Sequence, residues 1–127
     1  MLKMLAQMAV LLGALWQNAA EAHDNSAAKC VALRATDFSI IPDAPTQILS
    51  SRSVGDDERA YCEVRGYVSP ATGFELRLPL ENWNGKFWMV GNGGSGGEIP
   101  AALCENRVRR GYACVATDMG HIFHHRR

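Results

Sequence analysis

Five glycines in seven positions, Gly91 to Gly97, stand between an apolar run, Phe87 to Val90, and an amphipathic run, Pro100 to Arg110. That stretch reads as a loop between two regular elements. The apolar run is short and continuous, the pattern of a strand buried on both faces. The run after the loop reads as a helix, because Pro100 suits a first helical position and Gly111 suits the residue just past the end. Leu103 and Val108, helped by Ala102, supply its apolar face. Arg107, Arg109 and Arg110 fall in its last turn, where the helix dipole favours cations. Tyr112 to Thr117 is a second buried strand. Strand, helix and strand make a βαβ unit with parallel strands and a right-handed crossover. Ligands of open α/β sheets bind at the carboxyl ends of such strands. That rule puts the glycine loop and "TDMGH", Thr117 to His121, on one edge.

Upstream the period changes to two. Tyr61 to Val68 alternates, "SPATG" from Ser69 to Gly73 is turn chemistry, and Phe74, Leu76, Leu78 and Leu80 alternate with Glu75, Arg77 and Pro79. Alternation of this kind marks half-buried strands, and the turn between them makes a hairpin. Asn84-Gly85 is a tight-turn signal. Earlier residues carry less pattern. Residues 23–29 read as a loose terminus, Cys30 to Arg34 as the opening of a short helix, Asp37 to Thr46 as irregular or extended around Pro42 and Pro45, and Ser50 to Arg59 as a polar surface loop. The expected fold is therefore α/β: an N-terminal hairpin plus a βαβ unit in a mixed, mostly parallel sheet.

The first 22 residues read as a secretory signal peptide. Lys3 gives the basic start, Met4 to Trp16 is apolar apart from Gln7, and Ala20-Glu21-Ala22 is a small-x-small cleavage signal. The apolar run is shorter than the roughly 20 residues a membrane span needs. Export makes the chain periplasmic or extracellular, with no membrane attachment after cleavage. The formal net charge is zero, and losing Lys3 with Glu21 leaves it so. No basic face for nucleic acid is implied.

Export also permits disulfides, and four cysteines, Cys30, Cys62, Cys104 and Cys114, allow three full pairings. A bridge from Cys30 to Cys62 would tether the irregular N-terminal segment to the sheet. Cys104 and Cys114 fit equally as small buried hydrophobes. No Cys-x-x-Cys occurs, so a zinc knuckle is not expected.

Three chemistries overlay the glycine loop. Gly91-x-Gly93-x-x-Gly96 after a strand, with Asp118 placed to take a ribose, is a dinucleotide fingerprint. It conflicts with Pro100, which would fall inside the helix that must open at the glycines. Gly93-x-Ser95-x-Gly97 matches a nucleophile elbow with Asp118 and His121 following in order. Those two lie too close in sequence to come from separate triad loops. The third reading asks only for backbone. Glycines let N–H groups approach a substrate carbonyl without a Cβ in the way, and such donors stabilise the oxyanion of acyl transfer. In α/β-hydrolases one donor comes from the loop after the third strand. Counting the hairpin as two strands, Phe87 to Val90 is the third. A small non-enzymatic exported binding domain is the remaining alternative.

"YCEVRGYV", "FELRLPLENWNGKFWMVGNGGSGG" and "RRGYACVATDMGH" together resemble the N-terminal part of the tannase and feruloyl esterase family. The matching motifs are Cys62 to Gly66, Leu78-Pro79, Trp83 to Lys86, Gly91 to Gly97, Gly111 to Ala113 and Thr117 to His121. The resemblance implies an α/β-hydrolase core and a secreted serine esterase for small aromatic substrates, the hydroxycinnamate and gallate esters. It implies an oxyanion donor from Gly93 or Gly94, with Ser95 not the nucleophile. It also implies Cys30 as the partner of Cys62. The family's serine sits downstream in a Cys-Ser-x-Gly-Gly elbow, its acid and histidine later still, and calcium is held in a lid domain.

On this reading residues 23–127 are the N-terminal portion of such a domain, truncated before the elbow. They hold no catalytic serine, acid or histidine and no calcium ligands, and they are expected to be inactive alone. "HIFHHRR" drifts from the family pattern after His121 and reads as the tail of a truncated or frameshifted gene. His124 and His125 lack a second ligand cluster, so no metal site is expected there.

Overall fold

The computed structural model describes residues 25–55, 59–94 and 96–121. The expected signal peptide, Ser95, His124 and His125 lie outside them. Residues 25–32 are helical (α1) and run into a 3-10 turn, Leu33–Ala35. Five strands follow: β1 Thr46–Val54, β2 Tyr61–Val68, β3 Thr72–Pro79, β4 Phe87–Val90 and β5 Ala113–Thr117. Between β4 and β5 lie a 3-10 turn, Ala101–Cys104, and one turn of helix, α2, Glu105–Val108.

The strands form one mixed sheet in the order β1-β2-β3-β5-β4. β1 and β2, β2 and β3, and β3 and β5 pair antiparallel. β4 and β5 pair parallel, which is the βαβ end of the sheet. β5 thus has a partner on each side, and β4 forms the edge.

Strand alternation sorts the side chains onto two faces. Cys62, Val64 and Phe74 build one core, with Leu33, Ile48, Leu76, Leu78 and Val115 packed against it. α1 enters this core through Cys30, which is bonded to Cys62 with a Cα–Cα separation of 5.6 Å. On the opposite face, Cys104 and Val108 pack on Cys114 and Ala116, and Cys104 is bonded to Cys114. Further along that face Arg52, Glu63, Arg65, Glu75 and Arg77 form a ladder across β1, β2 and β3. Arg52 Nε donates to Glu63 Oε1 at 2.9 Å, Arg65 Nε to Glu75 Oε2 at 3.0 Å, and Arg77 Nε to Glu75 Oε1 at 2.9 Å. Arg65 Nε also lies 3.5 Å from Glu63. Each buried carboxylate is met by two guanidinium groups, which is what makes its burial tolerable.

Ser50 to Val54, expected to belong to a polar surface loop, is part of strand β1, Thr46–Val54. It carries few apolar residues because it is an edge, and polar side chains suit an edge. Phe87 to Val90 is consequently the fourth strand, not the third. It is also not buried on both faces, since Phe87 is 61% exposed and Met89 62%. Residues 25–29, expected to be loose, belong to α1. The helix expected over Pro100 to Arg110 is a 3-10 turn and a short α-helix, with Leu103 facing outward and Cys104 and Val108 inward. Cys104 and Cys114 are disulfide-bonded and not merely small buried hydrophobes.

Candidate functional site

The parallel register fixes where the candidate site forms. Val90 pairs with Ala116 and Phe87 with Ala113, so β4 and β5 end at the same edge. There the glycine loop and Thr117 to His121 emerge side by side.

The opposite end of the pair is set by Asn84. Its backbone N–H donates to Gly111 O at 2.9 Å and its Nδ2 to Arg110 O at 2.8 Å. Its Oδ1 accepts from the Lys86 N–H at 2.9 Å. Lys86 O then accepts from the Ala113 N–H at 3.0 Å, which opens the β4–β5 pairing. Gly111 has φ 78°, and a Cβ there would meet Asn82 O at 2.4 Å. The Trp83-Asn84-Gly85-Lys86 stretch and Gly111 therefore act as one lock on where β4 begins. Trp88 is flanked by the Arg107 guanidinium, 3.9 Å from its ring centre, and by the edge of Tyr112.

Within the loop, Gly94, Gly96 and Gly97 have φ of 61°, 70° and 106°, the left-handed region that favours glycine. The Gly96 N–H donates to Gly93 O at 3.3 Å, and Asn92 Nδ2 donates to Glu98 O. Among the described residues, and apart from each glycine's chain neighbours, no heavy atom lies within 4 Å of where a Cβ would stand on Gly91, Gly93 or Gly94. Their backbone is open to an approaching molecule.

The loop does not lead into a helix. The next helical residue is Ala101, and Pro100 precedes it with ψ 54°. A dinucleotide site needs a helix N-terminus at the glycines, and an elbow needs a strand-to-helix turn at its serine. Neither arrangement is present among the described residues. Asp118 is not available for a ribose either. It is buried, and its Oδ1 accepts N–H groups from Gly73 at 2.9 Å and from Gly120 at 2.8 Å. The spacing that suggested a ribose acid instead reflects a backbone tie.

Beside Asp118 lies a mainly apolar cavity of about 450 Å³, lined among others by Leu49, Arg65, Tyr67, Pro70, Phe74 and Ile99. Among the described residues no group of three or more His, Cys, Asp and Glu side chains is arranged to hold a metal ion. Nor is any helix among them long and apolar enough to cross a membrane.

A sequence profile of the family described as "Tannase and feruloyl esterase" matches residues 52–125, more than half of the chain. The chain belongs to the tannase and feruloyl esterase family. The mono(2-hydroxyethyl) terephthalate hydrolase of Piscinibacter sakaiensis is 36% identical over 77 residues, 48% of this chain and 13% of that protein. An uncharacterised esterase of Xanthomonas campestris pv. campestris is 30% identical over 126 residues, 94% of this chain and 22% of that protein. Among solved structures, feruloyl esterase B from Aspergillus oryzae superposes with a TM-score of 0.62 at 25% identity, over 76% of this chain and 23% of its own. A second Aspergillus oryzae esterase shares the fold with the same TM-score at 20% identity and the same coverage. The chain thus spans less than a quarter of the length of each.

Membership in the tannase and feruloyl esterase family makes the α/β-hydrolase sheet the frame for the loop. Two features of that frame escaped the sequence reading. Asn84 was legible only as turn chemistry, although its carboxamide ties two loops. The Asp118-x-Gly120 spacing carried a signal for a side chain bonding its own backbone two residues on, masked by the fingerprint match.

Proposed function

We propose that residues 23–127 form the N-terminal part of a secreted serine carboxylic ester hydrolase for aromatic esters of the hydroxycinnamate or gallate type. Gly93 and Gly94 present a backbone N–H to the oxyanion of the tetrahedral intermediate. The observation that carries this reading is the open glycine backbone at the carboxyl end of β4, beside the turn after β5. A donor there needs no side chain, and the missing Cβ groups leave room for the substrate carbonyl. The two disulfides favour an oxidising compartment, in keeping with residues 1–22 acting as an export signal.

The sequence contains no Cys-Ser-x-Gly-Gly segment. In this proposal the 127 residues are inactive alone, and the nucleophile, acid and histidine belong to polypeptide outside them. Two assays test this. The purified chain should not hydrolyse methyl ferulate or p-nitrophenyl esters, and hydrolysis abolished by Ser95→Ala would overturn the reading. Grafted in place of the aligned segment of the Xanthomonas relative, the chain should yield an active esterase. A folded graft without activity would count against the loop's assigned role.

A further inference from the structure

The edge that carries the glycine loop is held by a carboxylate that plays no part in the proposed chemistry. We propose that Asp118 is the positioning residue of the glycine loop. Its buried carboxylate clamps the turn after β5 to Gly73 at the start of β3, and the glycine loop passes beside the carbonyl this clamp fixes.

The antiparallel pairing of β3 with β5 ends at Phe74 and Thr117. Beyond it, the direction of the chain after β5 is set by Asp118. Its N–H donates to Gly73 O at 3.1 Å, while its Oδ1 accepts from the Gly73 N–H at 2.9 Å. Backbone and side chain thus grip the same residue from both sides. The same Oδ1 accepts from the Gly120 N–H at 2.8 Å, which folds the turn back on itself. Asp118 O accepts from the His121 N–H at 3.2 Å and closes that turn. The fit admits only glycine opposite, because a Cβ on Gly73 would stand 2.6 Å from Asp118 Oδ2. Asp118 is 4% exposed.

The loop passes close to this construction. A Cβ on Gly96 would lie 3.6 Å from Asp118 O, with the Asn92 side chain at 4.0 Å. A segment with five glycines has a large conformational entropy to lose. Oxyanion donors must nevertheless stand within a few tenths of an ångström of their place. Such order has to be imposed from outside the loop, and the Asp118 carbonyl is the fixed backbone that lies beside it. The catalytic consequence rests on the oxyanion reading. The ordering itself does not.

Backbone amide exchange and ¹⁵N relaxation on the oxidised chain read the loop directly, whether or not it meets an oxyanion. Failure here is therefore distinguishable from failure of the esterase assays. In Asp118→Ala the Gly73 and Gly120 N–H groups lose their acceptor; exchange at Gly96, whose N–H donates to Gly93 O, should rise about tenfold as the loop loosens, and Gly93 and Gly94 should lose order. Asp118→Asn should restore the loop, since its Oδ1 still accepts both N–H groups. Glu63→Gln, in the ladder on another part of the sheet, should lower the melting temperature and leave Gly96 unchanged. A merely structural Asp118 would give the same loop behaviour in Asp118→Ala as in Glu63→Gln, and that result would overturn the proposal, as would an Asp118→Asn chain as damaged as Asp118→Ala. Should Asp118→Ala fail to fold, the wild-type chain decides. Gly96 should exchange through the same opening as Gly73 and Gly120, with the same dependence on denaturant. Gly96 exchanging more than about tenfold faster than both would refute the clamp.

Discussion

Phe74 on β3 covers Gly66 on β2, its cross-strand partner, so closely that a Cβ on Gly66 would stand 2.8 Å from the ring's Cζ. The same Cβ would lie 2.3 Å from Gln47 O on β1. One missing side chain therefore lets three strands close together. Gly66→Ala is expected to cost at least the 1–3 kcal/mol typical of overpacking, because backbone on β1 cannot yield as a side chain can. Urea unfolding measures it, and a loss below about 0.5 kcal/mol would show the contact to be slack.

The ladder should divide sharply by burial. Glu75 is 5% exposed and bonds both Arg65 and Arg77. Glu75→Ala leaves two cations on a sheet face with no shared partner, and about 3–5 kcal/mol is expected to be lost. Arg52 has a 65% exposed side chain, and Glu63 keeps Arg65 nearby. Arg52→Ala should cost no more than about 1 kcal/mol. Equal losses would mean that the ladder acts as a unit.

Peptide mapping under non-reducing conditions should return Cys30 with Cys62 and Cys104 with Cys114, and neither of the other pairings. Cys30 and Cys62 close a separation of 32 residues. Replacing both with alanine should cost about 3–4 kcal/mol by loop-closure entropy. The bridge also fastens α1 to the sheet, so α1 should lose its exchange protection first.

Asp37 accepts hydrogen bonds from the Ser39 hydroxyl and the Ser39 N–H. The hydroxyl bond foremost, then the backbone bond, holds its carboxyl below the ordinary value of 3.8. A depressed folded value means that its small contribution to stability is present at neutral pH. That contribution fades as pH falls through the depressed value. Ser39→Ala should bring the Asp37 titration back toward 3.8, as followed by NMR, and no movement would refute the assignment.

The parts of the fold legible in the sequence were those where one periodicity had no rival. Tyr61 to Val68 and the strand after "SPATG" alternate cleanly, because each buries one face on a core. β1 was hidden, since Ser50, Ser51 and Arg52 read as a loop when the Glu63 that pairs with Arg52 is unknown. β4 looked doubly buried from composition alone, and its exposure depends on which strands stand beside it. Asp118 was visible as chemistry but assigned to the wrong partner, because the backbone N–H groups it accepts from belong to residues 45 positions away as well as two.

An oxyanion donor on the glycine loop should show itself in kcat of the grafted esterase. Gly93→Pro deletes one loop N–H, and Gly94→Ala forces a side chain onto φ 61°. Steady-state kinetics on methyl ferulate should show one or both variants losing about 10²–10³ in kcat with KM little changed. Both variants keeping kcat within about twofold of the parent graft would contradict the account.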